Sequence, residues 1–217
     1  MILKNRPFER RKPTKDAKVF IIFCEGKENE PNYFDYFRGI SQKIKLEIVA
    51  TKQESNNSPT GLYARALDSL IPTEANPNPQ YTINDQDEIW FVIDTDKWGE
   101  KITELRQSCE PYKWLIAQSN SCFELWLHYH FKSELPDFEG MESTQNWKAY
   151  INNEVVKGGF DARKHPVLIP FAIKNAKLNY TETNGMPDFG STQIFQLAER
   201  FYPYIKDDIE AELAKLT

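Results

Sequence analysis

The chain is poor in the residues that most nucleophilic enzymes and soft-metal sites rely on. It holds three cysteines and three histidines in 217 residues. Cys24, Cys109 and Cys122 lack the paired spacing of a zinc site, and their odd number argues against a disulfide framework. No histidine precedes His128. His128 and His130 alternate on an apolar stretch, where they read as packing or hydrogen-bonded residues. With Cys24 and Cys122 also in apolar runs, serine or cysteine nucleophile chemistry has no support. No run reaches the ~20 apolar residues of a membrane span. The N-terminus has no apolar core of a signal peptide, so a cytoplasmic protein without membrane contact is expected. Repeats and low-complexity tracts are absent. There is no excess of positive charge either: the net charge is −5. A nucleic-acid partner would therefore need a local basic patch. The first 18 residues supply one, with Lys4, Arg6, Arg10, Arg11, Lys12, Lys15 and Lys18. The plainer reading of that stretch is a solvated, partly frayed tail.

What is present is a core. Apolar residues make up 40% and aromatics 13%, enough for one domain or one with an appended subdomain. The run Glu88-Ile89-Trp90-Phe91-Val92-Ile93 reads as a buried strand, and it stops at Asp94-Thr95-Asp96. Carboxylates two residues apart on an extended backbone point to the same side. Two like charges at the end of a hydrophobic strand are costly unless a cation sits between them. A hard divalent ion such as Mg²⁺ prefers such oxygens. A second run, Lys18 to Cys24, ends at Glu25-Gly26, with Glu28 and Glu30 in the following turn. Pro31 then opens a helical pattern through Tyr33, Phe34, Phe37, Ile40 and Ile44. In a parallel sheet both acid-tipped strand ends lie on one edge, where open α/β folds bind ligands. The alternative for Glu28 and Glu30 is that they complement the positive end of the next helix.

The rest of the first two-thirds alternates. The pattern predicts a strand over 45–51, a helix over 62–71, a loop over 72–85, the strand over 88–94, a helix over 100–110 and a strand over 112–118. A buried helix over 123–131 follows. This order points to a mainly parallel sheet flanked by helices. From about residue 142 helical signals dominate, over 143–155, 166–178, 191–205 and 207–216. The expected organisation is a basic arm over 1–17, an α/β domain over 18–141, and a helical C-terminal extension over 142–217 packed on it. Phe189, Phe195, Phe201 and Tyr202 in that extension read as a docking surface, or more plainly as internal packing. Ser119-Asn120-Ser121 suits a helix N-cap before Glu124, whose carboxylate either faces the helix dipole or joins the acidic sheet edge.

Three stretches in this order carry a resemblance: Phe23-Cys24-Glu25-Gly26 through Glu30-Pro31-Asn32-Tyr33-Phe34, then Trp90 to Asp96, then Ser119 to Leu127. Together they resemble the RloB family, a branch of the TOPRIM superfamily similar to the nuclease domains of OLD-type proteins. Ala172-Ile173-Lys174-Asn175-Ala176-Lys177 is similar to the family's late helix. Ser121 departs from the Pro that often follows Ser-Asn in the family. The resemblance implies a TOPRIM-like α/β fold and a metal-dependent nuclease of anti-phage defence, acting on DNA or RNA, transfer RNA included. It also implies an ABC/AAA-type ATPase partner. Glu25, Asp94 and Asp96 would hold Mg²⁺ or Mn²⁺. Glu30 and Glu124 would hold a second ion or orient water. Lys157 or Lys164 would take the place of the family's lysine. Self-association into a homo-oligomer stays open. The main alternative is a non-catalytic TOPRIM-fold binding or sensor subunit of an ATPase complex. A phosphatase of the haloacid-dehalogenase type would need Thr or Ser where Trp98 stands. A primase or topoisomerase activity would need a zinc motif or a tyrosine-nucleophile domain.

Overall fold

The structure is a computed structural model and describes residues 3–51, 57–95, 98–139 and 144–215. In chain order its main elements are β1 (Lys18–Cys24), α1 (Asn29–Asp35), β2 (Ile44–Val49), α2 (Pro59–Leu70), β3 (Glu88–Asp94), α3 (Glu100–Cys109), β4 (Leu115–Asn120) and α4 (Glu124–His128). There follow α5 (Thr144–Tyr150), α6 (Ile169–Leu178), β5 (Glu182–Thr183), β6 (Met186–Pro187), β7 (Ser191–Thr192), α7 (Ile194–Phe201) and α8 (Lys206–Ala214). The sheet order is β2-β1-β3-β4-β7. Its first four strands are parallel, and β7 runs antiparallel to β4. The chain is thus an α/β protein with a mainly parallel sheet flanked by helices.

Alternation within the apolar runs produces a core on each face of the sheet. Phe20, Ile22 and Cys24 of β1, with Trp90 and Val92 of β3, pack under α1, α4 and the C-terminal helices. Ile21 and Phe23, with Ile89, Phe91 and Ile93, pack against Leu62, Ala66 and Leu70 of α2 and Ile102 and Leu105 of α3. Each such large side chain contributes about 1.5–3 kcal/mol by leaving water. The start of α2 is fixed locally: the Ser58 hydroxyl accepts from the Gly61 amide at 3.1 Å, and Pro59 opens the helix.

Several boundaries differ from the sequence pattern. Helix α1 stops at Asp35, short of the apolar series that runs on to Ile44. Gly39 takes φ +69° there, and Ile44 begins β2. A Cβ on Gly39 would also lie 2.9 Å from the Arg11 carbonyl, because the N-terminal segment crosses at this point. β4 begins at Leu115, not Tyr112, because Lys113 adopts a left-handed φ of 55° after a short 3-10 turn. Residues 191–192, expected in a helix, form β7. Ser119 and Asn120 hold this region: the Ser119 hydroxyl bonds Thr192 Oγ1 at 2.8 Å, and Asn120 Nδ2 donates to the Pro187 carbonyl at 3.0 Å. They do not cap α4, which has no side-chain cap.

The two ends of the chain are more integrated than their composition suggests. The helical C-terminal part shares one core with β1 and β3, in which Phe195, Phe201, Ile205 and Ile209 are buried. Phe195 and Phe201 are therefore packing residues and no docking surface, while Phe189 is exposed. The basic segment is docked, not frayed, from residue 6 on. The Arg11 amide donates to the Gly39 carbonyl and the Thr14 amide to the Gln42 carbonyl, each at 2.8 Å. The Phe8 ring meets Tyr36 edge-on, and Arg11 pairs with Asp208 at 2.9 Å. Among the described residues no helix is long and apolar enough to cross a membrane.

Candidate functional site

Because β1 and β3 are parallel neighbours, their acid-tipped ends meet on one edge. The Glu25 carboxylate bridges the two strands. Its Oε2 accepts from the Asp94 amide at 3.0 Å and its Oε1 from the Trp98 indole at 2.8 Å. Asp94 has the same strand parity as Trp90 and Val92, which turns it toward the α1 and α4 side. Asp96, the third expected ligand, lies outside the described residues.

Glu30 and Glu124 come to this edge from the two helices above it. Glu30 sits in the first turn of α1, and its Oε1 accepts from the Gly26 amide at 3.1 Å. The close approach requires glycine: a Cβ at residue 26 would lie 2.0 Å from Glu30 Oε2. Glu124 opens α4, is 3% exposed, and accepts from Asn29 Nδ2 at 3.1 Å. Burial, then the neighbouring Glu124 and Glu25 carboxylates, push the Glu30 carboxyl up to about 7. Burial likewise raises Glu124, against the opposing pull of Lys148. The buried thiol of Cys122 is driven far up by burial and by the Glu124 and Asp94 charges, so it is no thiolate nucleophile. Glu28 is exposed at the start of α1 and makes no side-chain cap hydrogen bond.

This donor set suits a hard divalent ion in two respects. Burial and the neighbouring Glu124 and Glu25 carboxylates raise the proton affinity of Glu30, the condition a cation relieves. The buried Ser121 hydroxyl beside Cys122 has no hydrogen-bond partner, and the Ser121 carbonyl accepts from the Thr95 amide at 3.0 Å. Against this, among the described residues no group of three or more His, Cys, Asp or Glu side chains could hold a metal ion. The two histidines take the packing role read from the sequence. His130 bonds the Trp126 carbonyl and the Tyr33 hydroxyl, His128 the Glu134 carbonyl and the Tyr150 hydroxyl. Burial lowers the pKa of His130 to about 3, so its ring is neutral.

Glu124 also forms part of the wall of a cleft of about 920 Å³. The cleft is also lined by Asn29 and Asn32 of α1, Arg6 and Arg10 of the N-terminal segment, Lys148 of α5 and the loop 158–163. Lys157 is exposed, and Lys164 pairs with Asp161 at 3.5 Å; neither lines the cleft. Lys148 lines the cleft and pulls the Glu124 carboxyl down against its burial. The sequence offered no signal for it, since Trp147-Lys148-Ala149 matches no motif. Arg6 and Arg10 belong to the basic stretch that the sequence offered as a nucleic-acid patch, whereas Arg163 carried no signal; all three reach the cleft through tertiary docking.

A family model described as RloB-like protein matches residues 20–201, and no curated protein and no solved structure matches the chain.

Proposed function

The chain belongs to the RloB-like family, and on that premise we propose that it is a metal-dependent nuclease hydrolysing phosphodiester bonds of DNA or RNA in cytoplasmic anti-phage defence. One observation carries this reading. Three buried carboxylates, Glu25, Glu30 and Glu124, with Glu30 held up by burial and by the other two, adjoin a cleft edged by Arg10, Lys148 and Arg163. The acids suit a cation and the bases suit a phosphate.

Glu25, Asp94 and Asp96 would hold Mg²⁺ or Mn²⁺, with Glu30 and Glu124 serving a second ion or the attacking water. Bound there, the ion would polarise a phosphoryl oxygen and ease the deprotonation of water. Burial and the neighbouring carboxylates hold the Glu30 carboxyl up, which suits it to accept a proton from the attacking water. Lys148 offsets charge on the phosphoryl group from the cleft wall. Trp98 and the Asp94 amide hold the Glu25 carboxylate in one orientation. The ATPase partner and the defence role follow from the family resemblance. Because a net charge of −5 gives the free chain little attraction for nucleic acid, full activity is expected only with that partner.

The alternative is a non-catalytic subunit of the same kind of complex. The test is incubation of the purified chain, alone and with its ATPase, with labelled DNA and total RNA in Mg²⁺, Mn²⁺ or EDTA. Ion-dependent cleavage that Asp96→Ala and Glu25→Ala reduce to the EDTA level is the expected result. If both variants protect cells from phage as well as the wild type does, the chain is a binding subunit.

A further inference from the structure

We propose that the cleft beside Glu124 takes a single strand of nucleic acid and excludes a duplex, its phosphates held by Arg10, Arg163 and Lys148. This rests on the nuclease reading above, which makes a phosphodiester chain the ligand. The volume of about 920 Å³ lies within the ~300–1,000 Å³ of sites that enclose a small ligand. Such a space admits a short stretch of unpaired chain. A duplex would have to ride on the rim, with its backbone held away from Glu124.

The walls are tied together. The Arg6 amide donates to the Arg163 carbonyl at 2.6 Å, linking the N-terminal segment to loop 158–163. The Arg6 guanidinium is itself taken up by the carbonyls of Tyr36 and Arg38, each at 2.6 Å, and of Phe8. Arg6 therefore closes the cleft and is no phosphate ligand. The other cations are available. Arg10 pairs with Asp35 at 2.5 Å and Arg163 with Asp161 at 2.9 Å, yet the two arginine side chains are 53% and 72% exposed. Ion pairs so exposed contribute little to stability. A phosphodiester offers a guanidinium the same bidentate geometry and the same single charge as a carboxylate. Asp35 and Asp161 line the cleft too, so a phosphate would take the place of each carboxylate on its arginine. Lys148 is exposed, lines the cleft and acts on the Glu124 carboxylate. Asn29 and Asn32 add amide groups that can meet sugar hydroxyls or base edges.

The test measures binding apart from cleavage. The full chain, in EDTA, is titrated with labelled single-stranded DNA and RNA oligonucleotides and with the matching duplexes, over a range of salt. Single strands are expected to bind and duplexes to bind much more weakly. Arg10→Gln and Arg163→Gln should each lessen the slope of log K against log salt by about 0.7, the value of one phosphate contact on a single strand. Both residues are exposed, so melting curves of the variants should match the wild type. Duplexes bound as tightly as single strands, no single-strand binding at low salt, or unchanged slopes in both variants would overturn the assignment. Cleavage is then read with Mn²⁺. Single-strand binding without cleavage, with or without the ATPase, removes the nuclease reading and leaves the cleft. Cleavage with duplex preference removes the cleft and leaves the nuclease.

Discussion

Glu88 and Glu25 stand at opposite ends of neighbouring strands and are equally buried, each 8% exposed. Their surroundings differ in kind. Glu88, at the N-terminal end of the sheet, lies 2.6 Å from Lys18 Nζ, 2.7 Å from Arg200 Nη2 and 2.9 Å from Trp90 Nε1. Burial alone would raise its carboxyl; Arg200, Lys18 and Trp90 bring it below its ordinary value. At the C-terminal end Glu25, Glu30 and Glu124 accept from amides and an indole and face one another. A buried carboxylate is therefore not in itself a sign of a site. The sign is burial in the company of other carboxylates, which keeps a charge in place that only a proton or a cation relieves.

The contrast can be broken first at Glu88. Glu88→Gln should lower the unfolding free energy by about 2–3 kcal/mol at neutral pH in urea titrations, somewhat less than a fully buried pair because Arg200 is 56% exposed. Since the folded carboxyl is held below its ordinary 4.5, this stabilisation exists above that pH and fades as pH falls through the folded value. Glu30→Gln should act with the opposite sign and raise stability by about 1–3 kcal/mol at pH 8. The Glu30 penalty builds between its ordinary 4.5 and about 7, so the gain should vanish below pH 4.5. A Glu30→Gln variant destabilised equally at both pH values would refute the account of mutual repulsion.

Millimolar Mg²⁺ or Mn²⁺ should raise the wild-type melting temperature at pH 8 by about 2–8 °C, equivalent to about 1–2 kcal/mol for a chain of this size. The rise should shrink at pH 5, where protons occupy Glu30, and should be lost in Asp94→Asn. An ion-independent melting curve at pH 8 would leave the acidic edge without its cation. The smallest effect belongs to the rim of the cleft. Arg10→Gln and Arg163→Gln should each leave the urea midpoint close to that of the wild type, because their pairs are exposed. A larger loss would mean that these pairs hold the N-terminal segment or loop 158–163 in place.

Much of the α/β frame was legible. The runs Lys18–Cys24 and Glu88–Asp94 gave themselves away by composition, and their terminal acids by position. The pairing of Glu25 with the Asp94 end follows from two parallel neighbours. The role of Gly26 was half legible: a turn residue in the sequence, it is in the fold the surface on which Glu30 lies. β7 was not legible, since two residues carry no periodicity and pair only because β4 offers an open edge. Nor was Lys148, which owes its place to the packing of α5 beside α4.

By itself, then, the sequence determined the strands, the face each of their residues takes, and the carboxylates at their ends. These are properties of a few consecutive residues, and the two-residue period of an extended chain reports them directly. Only the tertiary structure decided which charges meet. Glu88 finds Arg200 across 112 positions of chain, Arg6 finds the Arg163 carbonyl, and Glu30 finds Glu124 and Glu25 instead of a cation. Such meetings depend on how helices cross the sheet, and a charge in isolation carries no mark of the partner that burial will give it.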